Sequence, residues 1–170
     1  MTAALSKKDI QRLIQVTPPL VESFLDLESQ LQPNGIDVTI RDIARLQTSG
    51  TITVDNSGRQ LSSLTPLEFD RQGYIDLTPG PYLITLNEIV NLPNNVMALA
   101  RPRSSLLRCG VTIETAVWDA GYSGRSQSLL VVHNSSGFRL QQNSRVLQLI
   151  FFFLTGETER YKGQYQRENI

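Results

Sequence analysis

From Asn34 onward, apolar and polar residues interleave in short runs: IDVTI, TITV, GYIDL, PYLITL, VMALA, GVTIETAVW, SLLVVHN and VLQLIFFFL. Each run is rich in β-branched or aromatic residues, and NG, SG, TPG, LPNN and GYSG turns separate them. No helical periodicity intervenes, so the pattern predicts an all-β domain, an antiparallel sandwich or barrel. The first thirty residues read differently. Ser6 with Asp9 three residues on has the form of a capping box, and Ile10, Leu13 and Ile14 follow at helical spacing. Pro18 and Pro19 end that helix. Leu20, Val21, Phe24, Leu25 and Leu27 then predict a second short helix ending near Ser29. No internal repeat, low-complexity tract or linker divides the chain. The reading is one domain over residues 1–170: a helical N-terminal cap (1–30), a β-barrel (31–155) and a polar C-terminal tail (156–170).

Composition narrows the chemistry. A chain of 170 residues suits one domain, large enough to bury roughly two-thirds of its unfolded surface. Sixteen Lys and Arg balance sixteen Asp and Glu, so no global field recruits nucleic acid or an anionic membrane. The longest apolar run, residues 146–154, is interrupted by Gln148 and too short to span a bilayer. The N-terminus, MTAALSKKDI, lacks the apolar core of a secretory signal. The single cysteine, Cys109, excludes an intramolecular disulfide, and the expectation is a soluble, cytoplasmic protein. Cys109 and His133 are the whole soft-ligand supply, which excludes a zinc site and with it the zinc-dependent nucleobase deaminases. A Ser-His-Asp triad would have to use His133, but at the end of LLVVHNSS that residue reads as structural or surface.

One stretch stands out chemically. RPRSSLLRCG, residues 101–110, places three arginines and two adjacent serines inside an apolar chain. Forked Arg side chains, Ser hydroxyls and backbone N–H groups are the donors that a triphosphate needs. Arg103, Ser104, Ser105 and Arg108 read as a turn leaving a strand and entering one short helical turn, with Ser104 and Arg108 four apart on one face. By itself the motif reads first as a basic surface turn. Shortly after it comes ETAVWDAGYSGR, with Asp119 beside a turn. A carboxylate there is ordinarily a turn former, but beside a polyanion and a metal ion it can orient and deprotonate a water. Asp37 stands in LQPNGIDV, and Gln148 lies inside the apolar run RVLQLIF, where a buried amide would need partners for both its donor and its acceptor.

Taken together, P-N-G-I-D-V, R-S-S-L-L-R, W-D-A-G-Y-S-G and S-R-V-L-Q-L-I-F stand in the order of the motifs of the dUTPase/dCTP deaminase superfamily. The chain resembles that superfamily over nearly its whole length, to the tail Y-K-G-Q-Y-Q at residues 161–166, and is most similar to the archaeal-type dUTPases. The resemblance implies a distorted β-barrel or jelly-roll, a homotrimer with active sites at subunit interfaces, and a deoxynucleoside triphosphate substrate carried with Mg2+. It gives Arg103, Ser104, Ser105 and Arg108 the triphosphate. It gives Asp119 the deoxyribose and the attacking water, so that Asp119, Arg108 and Ser104 form the catalytic group. Thr115, Ala116, Val117 and Trp118 correspond to the segment that reads the pyrimidine edge, largely through backbone groups. Tyr122 and Gln148 are placed near substrate, and Asp37 is placed at the metal's water shell. Tyr161, Lys162, Tyr165 and Gln166 correspond to a lid over the triphosphate, a polar tail expected to be mobile without ligand; Gln164 stands where deaminases commonly carry Lys.

The superfamily performs two reactions. Deamination without zinc needs a carboxylate near the base to shuttle protons, and in the deaminases a Glu sits ten residues after the turn Asp. Here that position is Leu129, and GRSQSLLVVHN offers no acid. Gln127, two residues earlier, cannot serve as a base. The expectation is therefore a dUTP diphosphatase, in which water near Asp119 attacks the α-phosphorus, pyrophosphate leaves, and dUMP remains for dTTP synthesis. The competing readings are a dCTP deaminase or bifunctional enzyme, and an inert nucleotide-binding regulatory trimer.

Overall fold

Residues 3–170 are described by the computed structural model. In chain order the first elements are β1 (Ala3–Ala4), α1 (Lys7–Ile14), β2 (Val21–Glu22), α2 (Leu27–Gln30), β3 (Leu31–Gln32), β4 (Gly35–Leu46) and β5 (Leu64–Leu67). There follow β6 (Tyr74–Leu77), β7 (Gly80–Leu86), β8 (Ile89–Asn91), β9 (Val96–Pro102) and α3 (Ser104–Arg108). The last are β10 (Val111–Glu114), β11 (Ser123–Gly124), β12 (Gln127–Val132), β13 (Phe138–Gln141) and β14 (Arg145–Phe153). Every strand pairing is antiparallel, and the main sheet runs β1-β14-β4-β7-β12-β10, curling so that its concave side encloses the core. This is the mainly β, dUTPase-like barrel that the run pattern and the resemblance predict.

Strand β4 organises the barrel. Its first six residues are all buried, as expected of a strand covered on both faces. It pairs with β14 through residues 36–39 and then changes partner to β7 and β5, with a register shift between Ile40 and Asp42. Where a ladder breaks, a backbone group needs another partner. The Thr39 N–H finds one by donating to the Glu88 carboxylate at 2.9 Å. Ile36, Val38, Ile40, Ile84, Leu130, Leu147, Leu149 and Phe151 are nearly inaccessible and join one apolar cluster, against which α1 sets Ile10.

The capping box on α1 forms as predicted: Asp9 N–H donates to Ser6 Oγ, and Ser6 N–H donates to Asp9 Oδ2 at 3.1 Å. The expected second helix is cut to the four residues of α2. Leu20 and Val21 are instead buried in extended chain, because β2 pairs with β8, and Ser23 adopts a left-handed φ of 59°. TITV forms only the single bridge Thr51–Gln60, with Ile52 and Val54 exposed. It lies in an arm beyond β4 and β5, where no second layer can bury a strand face, and β-propensity without burial makes no strand. GVTIETAVW pairs as a ladder only to Glu114, with one further bridge at Trp118.

Leu149 lies on the central strand of this core and is fully buried. Leu149→Ala is expected to destabilise the fold by about 3 kcal/mol, measured as a lowered urea midpoint with an unchanged slope.

Candidate active site

Beyond Glu114 the chain leaves the sheet and re-enters it for one residue. Trp118 exchanges two backbone hydrogen bonds with Ala98 of β9, at 3.0 and 3.1 Å, and its indole N–H donates to Ser126 Oγ at 3.0 Å. Residues 115–117, between β10 and this bridge, make no backbone–backbone hydrogen bond. The N–H and C=O groups of Ala116 and Val117 stand free at the edge of a cleft of about 640 Å3, whose wall also includes Trp118, Asp119, Tyr122 and Gln127; Thr115 lies outside that lining. Leu46, Leu64 and Leu83 supply its apolar side.

Asp119 follows Trp118 and is exposed, borne on a turn closed by Tyr122 N–H donating to Asp119 C=O at 3.1 Å. It also borders a second cavity of about 260 Å3, with Met97, Thr158 and Glu159. The turn is rigid for stated reasons. Gly121 N–H donates to Leu92 C=O, Leu92 N–H donates to Tyr122 C=O, and Gly121 has a φ of +80°. A Cβ on Gly121 would lie 2.8 Å from Arg160 Cα, so only glycine fits both the conformation and the neighbour.

The tail lies against this turn. Gln166 grips the turn at two points: its Oε1 accepts from Ser123 N–H and its Nε2 donates to Gly121 C=O, both at 2.9 Å. Backbone bonds Tyr161 N–H to Ala120 C=O and Arg167 N–H to Ser123 C=O continue the contact. Tyr161 packs edge-on against Tyr122, with centroids 5.8 Å apart, and Tyr122 Oη donates to Glu168 Oε1 at 2.9 Å. Tyr161, Tyr165 and Glu168 thus form one wall of the cleft. Burial and the adjacent Glu168 carboxylate hold the Tyr122 hydroxyl above its ordinary range, so it stays a donor. Burial also raises Glu168, against the bond from Tyr122. Lys162 is not in the wall; it is exposed, 4.0 Å from Glu159.

The residues expected to hold the triphosphate form a second group. Asp37 is buried and receives Arg103 Nε at 3.2 Å and Arg145 Nη1 at 3.4 Å, both on Oδ2. Desolvation raises its carboxyl and the two guanidiniums oppose that rise. In register, Gln148 stands opposite Asp37 on one side and Arg101 on the other. Its side chain is only half-buried and makes no hydrogen bond among the described residues, so the expected buried amide is instead a group free to meet a ligand. It lies across Gly35, where a Cβ would meet Gln148 Nε2 at 3.0 Å. Ser104, Ser105 and Arg108 lie on α3, exposed, with Arg108 Nη1 donating back to Ser104 C=O at 3.4 Å. Neither Asp37 nor residues 103–108 border the cleft that holds Asp119. Within one chain the two groups of residues are therefore separate.

Sequence reasoning missed Arg145, although it stands in the quoted motif three residues before Gln148. It also missed Glu168, Ser126 and the arm leucines, which only folding brings to the cleft. Leu129 pairs with Leu83 on one side and with Glu114 on the other, so an exposed acid stands across the ladder from the deaminase position. His133 is exposed, its Nε2 3.1 Å from Thr112 Oγ1. No helix among the described residues is long and apolar enough to cross a membrane.

The curled antiparallel barrel is of the dUTPase/dCTP deaminase-like class. The chain belongs to the dCTP deaminase-like family, whose model matches residues 4–154. It is 50% identical over 167 residues to a protein of Methanococcoides burtonii named probable deoxyuridine 5'-triphosphate nucleotidohydrolase, covering 98% of each chain. It is 48% identical over 168 residues to one of the same name from Archaeoglobus fulgidus, covering 99% of this chain and 98% of that one. Among solved structures, 2'-deoxycytidine 5'-triphosphate deaminase from Agrobacterium tumefaciens shares the fold, with a TM-score of 0.68 and 24% identity. That match covers 89% of this chain and 48% of the other.

A raised pKa means that the docked tail holds the Glu168 proton better than a free tail does. Its contribution to docking is therefore complete below the ordinary value of 4.5 and is lost as pH rises through the raised value. Backbone NMR relaxation of residues 161–170 should show the tail loosening over that rise, and Glu168→Gln should abolish the dependence.

Proposed function

We propose that the protein is a dUTP diphosphatase, converting dUTP and water to dUMP and pyrophosphate and so removing dUTP while supplying dUMP. The observation that carries this reading is the Asp119 turn. It sets a carboxylate at a cleft edged by unpaired backbone groups, beside a strand with Leu129 at the deaminase position. The names of relatives about half identical over the whole chain support it.

The uracil ring lies against the apolar side of the cleft, and its O4 and N3–H meet free N–H and C=O groups of residues 115–117. Cytosine reverses that donor–acceptor order and would leave buried groups unpaired, a strong basis for discrimination. Asp119 accepts a proton from a water as the water oxygen bonds to the α-phosphorus. The bond from α-phosphorus to the bridging oxygen breaks, and the negative charge passes to pyrophosphate. Arg103, Arg108, Ser104 and Ser105 hold the phosphate oxygens, with Gln148 beside them, so catalysis is mostly positioning and charge neutralisation. No group of three or more His, Cys, Asp or Glu side chains that could hold a metal occurs among the described residues. Mg2+ would sit with the triphosphate near Asp37, whose Oδ1 takes no hydrogen bond among the described residues, and would supply charge neutralisation there. Because the phosphate-binding and Asp119 half-sites are apart in one chain, the complete site forms between copies, in a homotrimer.

Asp119→Asn should lower pyrophosphate release from dUTP by about a hundredfold or more while still binding nucleotide. Release at the parental rate would overturn the assignment of the base. The bifunctional reading draws its support from Glu114 opposite Leu129. Incubation with dCTP and Mg2+ decides it: no ammonia is expected, and ammonia at a rate rivalling pyrophosphate release from dUTP would favour deamination.

A further inference from the structure

Glu88 is fully buried, and none of the steps above uses it. It sits between β7 and β8, with its side-chain hydrogen bonds made to Thr39 of β4 and Gln30 of α2. Its Oε1 accepts from Gln30 Nε2 and Thr39 Oγ1, both at 2.7 Å, and its Oε2 accepts from Thr39 N–H at 2.9 Å. The same Gln30 Nε2 donates to Asp37 C=O at 2.8 Å. Gln30 Oε1 in turn accepts the N–H groups of Leu25 and Asp26, at 2.8 and 2.9 Å. One carboxylate thus fixes the backbone on both sides of Val38: residue 39 directly, residue 37 through Gln30.

The placement is expensive, since a buried carboxylate loses its hydration and an apolar side chain would fill the volume at lower cost. What an apolar side chain cannot do is take three hydrogen bonds where β4 changes partners and its ladder lapses. The Asp37 side chain then carries that order outward. Arg103 uses only Nε on Asp37, and Arg145 only Nη1 on Asp37 and Ser29 C=O, so each guanidinium keeps further N–H donors for an anion.

We propose that Glu88 is a positioning residue for the phosphate side of the site: it fixes Asp37, and through Asp37 it sets the aim of Arg103 and Arg145 on the triphosphate. This rests on the dUTP reading above and extends it to a residue with no ligand contact of its own.

The test uses calorimetric titration of the full chain with dUMP and with a non-hydrolysable imido analogue of dUTP. Glu88→Gln preserves the shape and an acceptor for Thr39 N–H, but turns an amide NH2 toward Gln30 Nε2 or the Thr39 hydroxyl. The expected result is about a tenfold loss of affinity for the analogue, with affinity for dUMP held. Thr39→Val removes the hydroxyl that donates to Glu88 and accepts from Asn87 Nδ2, leaves the Thr39 N–H bond in place, and should lower the analogue-to-dUMP ratio by about threefold. It decides the matter if the Glu88 variant does not fold. A lowered Tm with that ratio unchanged is the signature of a merely structural carboxylate and overturns the proposal. If the parent protein binds neither nucleotide, the dUTP reading falls and the proposal with it. A parent that binds the analogue tightly, beside variants with an unmoved ratio, removes the positioning role alone.

Discussion

Strand β14 is hydrogen-bonded along both edges, to β4 on one side and β9 on the other, and the registers of those ladders decide where the charged residues stand. Gln148 lies level with Asp37 in the first ladder and with Arg101 in the second, so three segments distant in sequence meet in one row. Leu147, Leu149 and Phe151 point the opposite way, into the core. Because side chains alternate along a strand, a slip of one residue would drive Gln148 inward and the apolar set outward. The burial of those three side chains therefore holds the row in place. The register shift near Arg145 brings a second guanidinium alongside.

The two half-sites are built by different physics. Around Asp119 the order comes from backbone: a one-residue bridge, a glycine turn and a tail strapped across it. Around Asp37 it comes from charge, a buried carboxylate held between two guanidiniums and braced from beneath by Glu88. Backbone contacts are insensitive to salt, whereas partly exposed ion pairs are screened. The Asp119 turn and the Asp37 cluster are thus held in place by different means.

What could be read from the sequence follows the range of the interaction involved. The capping box on α1 and the short helix after Arg103 are local, fixed within four or five residues, and both form as read. The long strands β4, β7, β12 and β14 carry enough alternating apolar residues to announce themselves. TITV has the same texture but lies in an arm with no layer to cover it, and Leu20 and Val21 have helical spacing but extended partners; in each case a non-local contact overrules the local pattern. The motif residues of the candidate site were legible because each stands in a distinctive short string. Glu88 and Glu168 were not, since an isolated glutamate has no local signature, and only the folded chain sets one beneath Thr39 and the other against Tyr122.

The docked tail has a consequence for how a ligand would be met. Fixing a residue costs roughly 1–2 kcal/mol of backbone entropy, and a lid that orders only around its ligand draws that cost from affinity. Here residues 161–168 are already tied to the Asp119 turn through Gln166 and Tyr122. Most of the ordering is completed when the chain folds, which favours tight capture. Moving that wall would require those bonds to yield, a local unfolding of a few residues.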